Sequence, residues 1–271
     1  MLRMNNDIFV IYHAGCWDGF CSAWVAGRTL GRGRCKFLPA QYGDAPPNVS
    51  GQVVYILDFS YPRDTMQWIA SEAEELHCYD HHKTAAESLV GLPGDIVFND
   101  GKSGARITWE QLGWSSPSPW LVDYTEDRDL WRHKLQSSRE VNAALRSYPL
   151  DHDEWDALDA LPWSHFVSQG RAILREQRNV IDAHVRHAVD VVVSGHTVKG
   201  VNATMYQSEI AGELAKGRPF GVVWFDTPKG IVVSLRSTDS GVDVSDIARA
   251  KGGGGHARAA GFTSQERLLR A

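Results

Sequence analysis

The chain has 271 residues, 43% hydrophobic and 23% charged, which are ordinary globular values and exclude a disordered, collagen-like or supercharged protein. That length suits two domains, or one large α/β unit, with ample core. The formal net charge of −5 excludes a uniformly basic nucleic-acid coat, and no apolar run approaches the roughly 18 residues of a membrane span.

Residues 8–13 (IFVIYH) read as a short strand, and 18–30 carry apolar residues at helical spacing. Strands are expected over 36–40 and 53–59, separated by the turn-rich stretch QYGDAPPNVSG. Pro62 suits a first helical turn and opens a helix through about Glu75. Residues 75–82 and 95–100 complete a five-strand count, and 103–113 form a helix stopped by glycine. Strand signals vanish from about 117 to 187, where 164–187 read as a connecting helix. The β pattern then returns, with short helices near 207–217 and 244–250. The expected architecture is therefore α/β throughout: a parallel-sheet domain over 1–163, a linker helix over 164–187, and a smaller α/β domain over 188–271.

Four irregularly spaced cysteines, Cys16, Cys21, Cys35 and Cys78, make no disulfide framework and no CxxC pair. With no signal-peptide pattern at the N-terminus, a cytoplasmic protein without a membrane partner is expected.

Chemistry-bearing residues gather at the carboxyl ends of the expected strands, where open α/β sheets place ligands. His13 ends the first, followed by Cys16, Asp18 and Gly19; Asp58 ends the third; Asp80, His81 and His82 end the fourth. Singly, Asp18 or Asp58 reads as a helix cap and His13 as a satisfied strand-end residue. Three such strand ends together argue for a divalent-ion site instead. Carboxylate and imidazole donors suit Mn²⁺, with Co²⁺, Mg²⁺ or Zn²⁺ as alternatives, and several carboxylates can hold two ions about 3.5–4 Å apart. Phosphoryl-transfer hydrolysis is the leading reaction class.

The motifs HAGCWDGFCSAW, ILDFS, YDHH, SLRS and GGGGHARAAGF, in this order, resemble the DHH phosphoesterase superfamily. The likeness is to the branch with a DHH-associated C-terminal domain, and it spans residues 8 to 262. It implies a two-metal site in the cleft between two domains. His13, Asp18, Asp58 and His81 match metal ligands, His82 matches a histidine that contacts the scissile phosphate, and Asp80 an orienting carboxylate. A further aspartate is expected within DYTEDRDLW, where Asp123, Asp127 and Asp129 compete; Asp127 is chosen for its spacing to Trp131. Cys16 stands where the pattern expects an aspartate, and is a ligand, a bystander, or the mark of a weak metal position.

Near the C-terminus, Gly253, Gly254 and Gly255 can bring backbone amides close to an anion, with His256 expected at the start of a following helix as a further donor. Arg236 is the natural second phosphate contact. Most of the ten tryptophans are expected in the core, with Trp17 the candidate for stacking on a base.

The resemblance implies a phosphodiesterase for short oligoribonucleotides and linear or cyclic dinucleotides, of the nanoRNase kind, releasing nucleoside monophosphates. The same parts suit a 3′-phosphoadenosine 5′-phosphate phosphatase. Competing readings are a pyrophosphatase or exopolyphosphatase, a RecJ-like single-strand exonuclease, and a non-catalytic nucleotide sensor. Residues 1–164 hold 14 Lys and Arg against 23 Asp and Glu, and residues 165–271 hold 14 against 10. An acidic part that attracts cations and a basic part that holds phosphate suit a short substrate, not a long strand. The oligomeric state is left open.

Overall fold

The computed structural model describes residues 8–83, 85–112 and 117–266, with the backbone of 269–270; the Gly113 expected to stop a helix lies outside them. The chain divides into two compact units, Met1–Ile173 and Leu174–Ala271.

The first unit runs β1 (Ile8–His13), α1 (Trp17–Leu30), β2 (Cys35–Ala40), β3 (Val53–Leu57), α2 (Arg63–Glu72), β4 (Glu75–Asp80), α3 (Ala86–Leu89), β5 (Asp95–Phe98) and α4 (Gly104–Gln111). Four further helices follow: α5 (Trp120–Asp129), α6 (Ser138–Leu145), α7 (His152–Asp159) and α8 (Val167–Arg186). The boundary between the units falls within α8. Every strand pairing in the first sheet is parallel, and the order is β2-β1-β3-β4-β5.

A parallel sheet is covered on both faces, so its strands need apolar residues at both parities. Phe9 and Ile11 of β1 lie with Val54, Ile56, Cys78 and the α2 residues Met66 and Ile69. Ile8 and Val10 point the other way, to Ala23 and Ala26 of α1 and Ile107 of α4. Beyond α1 a helical layer buries Trp24, Leu121, Trp155 and Phe166. Helix α7 starts cleanly because Asp151 accepts the backbone N–H groups of Asp153 and Glu154, both at 3.0 Å.

Two strands end earlier than their apolar runs suggest. β3 stops at Leu57 because Asp58 turns into the left-handed region at φ 62°. β4 stops at Asp80, whose side chain takes over the next two backbone N–H groups.

The second unit begins with the rest of α8 and contains β6 (Val189–Val193), β7 (His196–Asn202), α9 (Gln207–Ala215), β8 (Gly221–Thr227), β9 (Gly230–Arg236), α10 (Val244–Arg249), β10 (Gly254–His256), β11 (Ala259–Ser264) and β12 (Leu269–Arg270). They form a mixed sheet in the order β10-β11-β9-β8-β7-β6-β12, with β7 and β8 parallel across α9. The helix expected to begin at His256 does not exist: residues 254–264 form the β10–β11 hairpin, so no helix dipole is available there. Close backbone approach explains the glycines. A Cβ on Gly253 would sit 2.0 Å from the Gly261 carbonyl oxygen, and Gly255 has φ +134°. No helix among the described residues is long and apolar enough to cross a membrane.

Candidate metal centre

In the first sheet the chain leaves β1 for β2 on one side and then places β3 on the other, so the crevice at their carboxyl ends is the switch point where such sheets bind ligands. His13 is the last residue of β1 and Asp58 the first after β3. His13 Nδ1 lies 3.5 Å from Asp58 Oδ2. The left-handed backbone at Asp58 is a conformation that aspartate tolerates better than most residues, and it aims a fully buried carboxylate into the crevice.

β4 contributes a self-bracing turn. Asp80 Oδ1 accepts the backbone N–H of His81 at 2.7 Å and of His82 at 3.0 Å, and the ring Nδ1 of His82 at 2.9 Å. This fixes the His82 ring with Nδ1 as donor. Burial pulls the His82 imidazole down, but the Asp80 carboxylate outweighs it and holds the pKa above its usual value.

Asp18 does not cap its own helix. Its carboxylate accepts the backbone N–H groups of Gly104 at 2.6 Å and Ala105 at 3.0 Å, at the N-terminus of α4. Glycine is required at 104, because a Cβ would lie 2.7 Å from Asp58 Cβ and 2.8 Å from its Oδ1. Gly104→Ala is expected to push Asp58 aside at a cost of about 1–3 kcal/mol, seen as a lower melting temperature together with weaker Mn²⁺ binding in a calorimetric titration.

His81 joins these groups. Its Nε2 is 3.1 Å from Asp58 Oδ1 and 3.6 Å from both Asp18 Oδ2 and Asp129 Oδ2. Burial opposes a charge on the ring, yet Asp58, Asp129 and Asp18 push its pKa up to about 10. Burial, Asp58 and Asp129 drive the Asp18 carboxyl well above the usual range. Burial also disfavours charge on Asp58, but His13 and His81 hold its carboxyl well below that range. Crowded, dehydrated carboxylates of this kind are a setting in which a cation can be held.

The donors fit one. Both Asp58 oxygens and His13 Nδ1 are buried without a hydrogen bond of proper geometry, despite their short distances to neighbouring rings. Two donor sets, His13–Cys16–Asp58 and Asp18–Asp58–His81, each lie within 4.8 Å of one another and share Asp58.

The structure does not bring Asp127 to this cluster. Its carboxylate accepts the backbone N–H groups of Lys134 at 2.9 Å and Leu135 at 3.3 Å, bracing the loop after α5. Asp123 pairs with Arg106. Asp129 is the member of the acidic trio that faces His81. Helical geometry explains the choice, since residues two apart on a helix point about 200° apart.

Residues 188–271 match the DHHA1 domain family. With that domain follow the YDHH motif and its strand-end partners, on a sheet whose carboxyl ends hold the cluster. The chain carries a DHHA1 domain over residues 188–271. That match lies within the second unit.

The chain is 28% identical to the uncharacterized protein R106 of Acanthamoeba polyphaga mimivirus, over 95% of this chain and 69% of that one. It is 27% identical to oligoribonuclease NrnB of Bacillus subtilis over 67% of its length, and spans about half (51%) of that relative. Among solved structures it resembles RecJ of Thermus thermophilus in complex with Mn²⁺, at 15% identity and a TM-score of 0.53, covering 97% of this chain and 50% of that one. An exonuclease RecJ bound to manganese gives 14% identity and a TM-score of 0.52, over 97% and 86%. These two share the two-domain α/β fold.

Within the DHH-associated domain, Ala259 of β11 pairs with His256 on one side and Arg236 on the other. Directly opposed residues share a face, so His256 and Arg236 flank a small alanine in one row. Arg236 donates to Ser208 Oγ at 2.6 Å and to the Leu235 carbonyl at 2.8 Å, which holds the guanidinium at the strand end.

Trp17 is half-buried and stacks on Trp155 with centroids 5.9 Å apart. Tyr42 escaped the sequence reading: it is 53% exposed, with its ring centroid 5.5 Å from His13 and 6.1 Å from His82. Its only sequence signal is its place just after the edge strand next to β1.

Proposed function

We propose that this protein is a divalent-metal-dependent phosphodiesterase that hydrolyses short linear or cyclic nucleotides to nucleoside monophosphates. The observation that carries the reading is the cluster of Asp18, Asp58 and Asp129 with His13 and His81, whose three carboxylates crowd around one imidazole and offer the donors a divalent cation takes. Carboxylate and imidazole donors favour Mn²⁺. Bound divalent ions would supply Lewis-acid charge at a phosphoryl oxygen and lower the pKa of water.

The chain's own residues do the rest. His82, its Nδ1 engaged by Asp80, is the residue proposed to meet a phosphate oxygen, and the same carboxylate raises the proportion of the ring that carries charge. Asp80 is its positioning residue. Arg128 and Arg146 line the same cleft as Cys16, Asp18 and Asp129, and bring positive charge toward an anionic substrate. In the DHH-associated domain, Arg236 and His256 are the residues proposed to hold a phosphate. The likeness to an oligoribonuclease supports a short ribonucleotide substrate, and the mildly acidic chain argues against a long strand.

The test is incubation of the full chain with Mn²⁺ and, separately, a linear dinucleotide, a cyclic dinucleotide, 3′-phosphoadenosine 5′-phosphate, pyrophosphate and a long single strand. Mononucleotide release from a dinucleotide, abolished by a chelator, is the expected result. Hydrolysis of pyrophosphate alone, or of the long strand in preference to the dinucleotides, would overturn the reading.

A further inference from the structure

The two donor sets are not equivalent. Asp18, Asp58 and His81 offer oxygen and imidazole nitrogen, whereas the other set replaces a carboxylate with the thiol of Cys16, beside His13 and Asp58. Cys16 occupies the N-cap of α1 in an extended conformation, φ −105° and ψ 135°. A thiol is not among the side chains that cap helices well, so the start of the helix does not account for it. Asp58, fully buried and with both oxygens lacking a hydrogen bond of proper geometry, belongs to the same donor set and calls independently for a cation there.

We infer that the two cation positions sharing Asp58 are chemically unequal: His13, Cys16 and Asp58 form a thiolate position for a thiophilic divalent ion of the Zn²⁺ or Co²⁺ class, and Asp18, Asp58 and His81 form an oxygen-rich position for Mn²⁺ or Mg²⁺. This deepens the proposed function and rests on its metal centre. Thiolate ligands select softer ions, and carboxylates harder ones. On binding, the Cys16 thiol gives its proton to the buffer and its sulfur lone pair to the ion. The other cysteines are not in either donor set among the described residues: Cys21 and Cys78 are fully buried in apolar clusters, and Cys35 starts the edge strand β2.

The experiment is an ultraviolet titration of the metal-free full chain with Cd²⁺ and Co²⁺, reading the thiolate-to-metal charge-transfer band. One band saturating at one equivalent is expected, lost in Cys16→Ser. Serine caps helices better than cysteine, so this variant keeps its fold, checked by an unchanged melting curve without metal. Cys16→Asp is expected to lower the Cd²⁺ over Mn²⁺ preference by at least on the order of tenfold in competition dialysis. A band that survives in Cys16→Ser, or no band in the wild type although Cd²⁺ binds, overturns the inference. A Cys16-dependent band with no nucleotide hydrolysis under any ion supports the inference and overturns the proposed function. Mn²⁺-dependent dinucleotide cleavage without a band does the reverse.

Discussion

Asn in place of Asp58 is expected to remove hydrolysis by on the order of 10³-fold in kcat/KM, or ~4 kcal/mol of transition-state stabilisation, because both donor sets lose their common carboxylate. Metal-free stability should fall as well. His13 and His81 hold the buried Asp58 carboxyl well below its usual range, so the folded state favours its charge, and Asn removes the charged partner of both rings. Asn tolerates the left-handed backbone at φ 62°, so the backbone adds no further loss. Metal-free Asp58→Asn should therefore melt lower than the wild type. Only the wild type should gain from added Mn²⁺, by about 2.7 kcal/mol at a hundredfold excess over Kd. A calorimetric scan of both proteins with and without Mn²⁺ checks this, and an equal Mn²⁺ gain in the variant would remove the metal-centre reading of Asp58.

The second large effect separates two aspartates two residues apart on one helix. Asp129→Asn is expected to lower Mn²⁺ affinity and turnover on the order of 10²-fold with little change in melting, since its carboxylate faces His81. Asp127→Asn should do the opposite, leaving turnover within a few fold while costing about 1.5–3 kcal/mol, the usual worth of hydrogen bonds to a charged group. The Asp127 carboxylate also explains a pH dependence. Burial disfavours its charge, but the Ser138 hydroxyl and the Lys134 and Leu135 amides outweigh this and hold its pKa below the usual carboxylate value. A depressed folded-state pKa contributes stability that is present above the unfolded value of about 3.9 and is lost as pH falls through the folded one. Acid unfolding of Asp127→Asn should lack this component, which denaturant melts between neutral pH and pH ~3 read directly.

Much of the fold and of this cluster is legible in the amino acids. β1, β3 and β4 announce themselves as compact β-rich runs, and their carboxyl ends carry His13, Asp58 and the Asp80–His81–His82 triplet. Alternating apolar parity cannot be mistaken when both faces of a sheet are buried, as Ile8 and Phe9 are on opposite sides of β1. The acidic trio of α5 is different. Asp123, Asp127 and Asp129 are chemically alike, and no spacing to an aromatic residue ranks them.

The glycine-rich end shows the same limit. GGGGH was readable as a place where the backbone comes close to something, but not as one strand of a hairpin, since the Gly261 carbonyl that excludes a side chain at Gly253 arrives from another strand.

Local chemistry and hydrophobic period thus determined the strand ends, the parallel sheet and the donor types, because these follow from neighbours in the chain. Which aspartate completes the cluster, that Asp18 serves the N-terminus of α4, and that Cys16 shares Asp58 with His13 were decided by packing. Each depends on the angle and distance at which distant segments meet, and a helix rotated by one residue would have chosen differently.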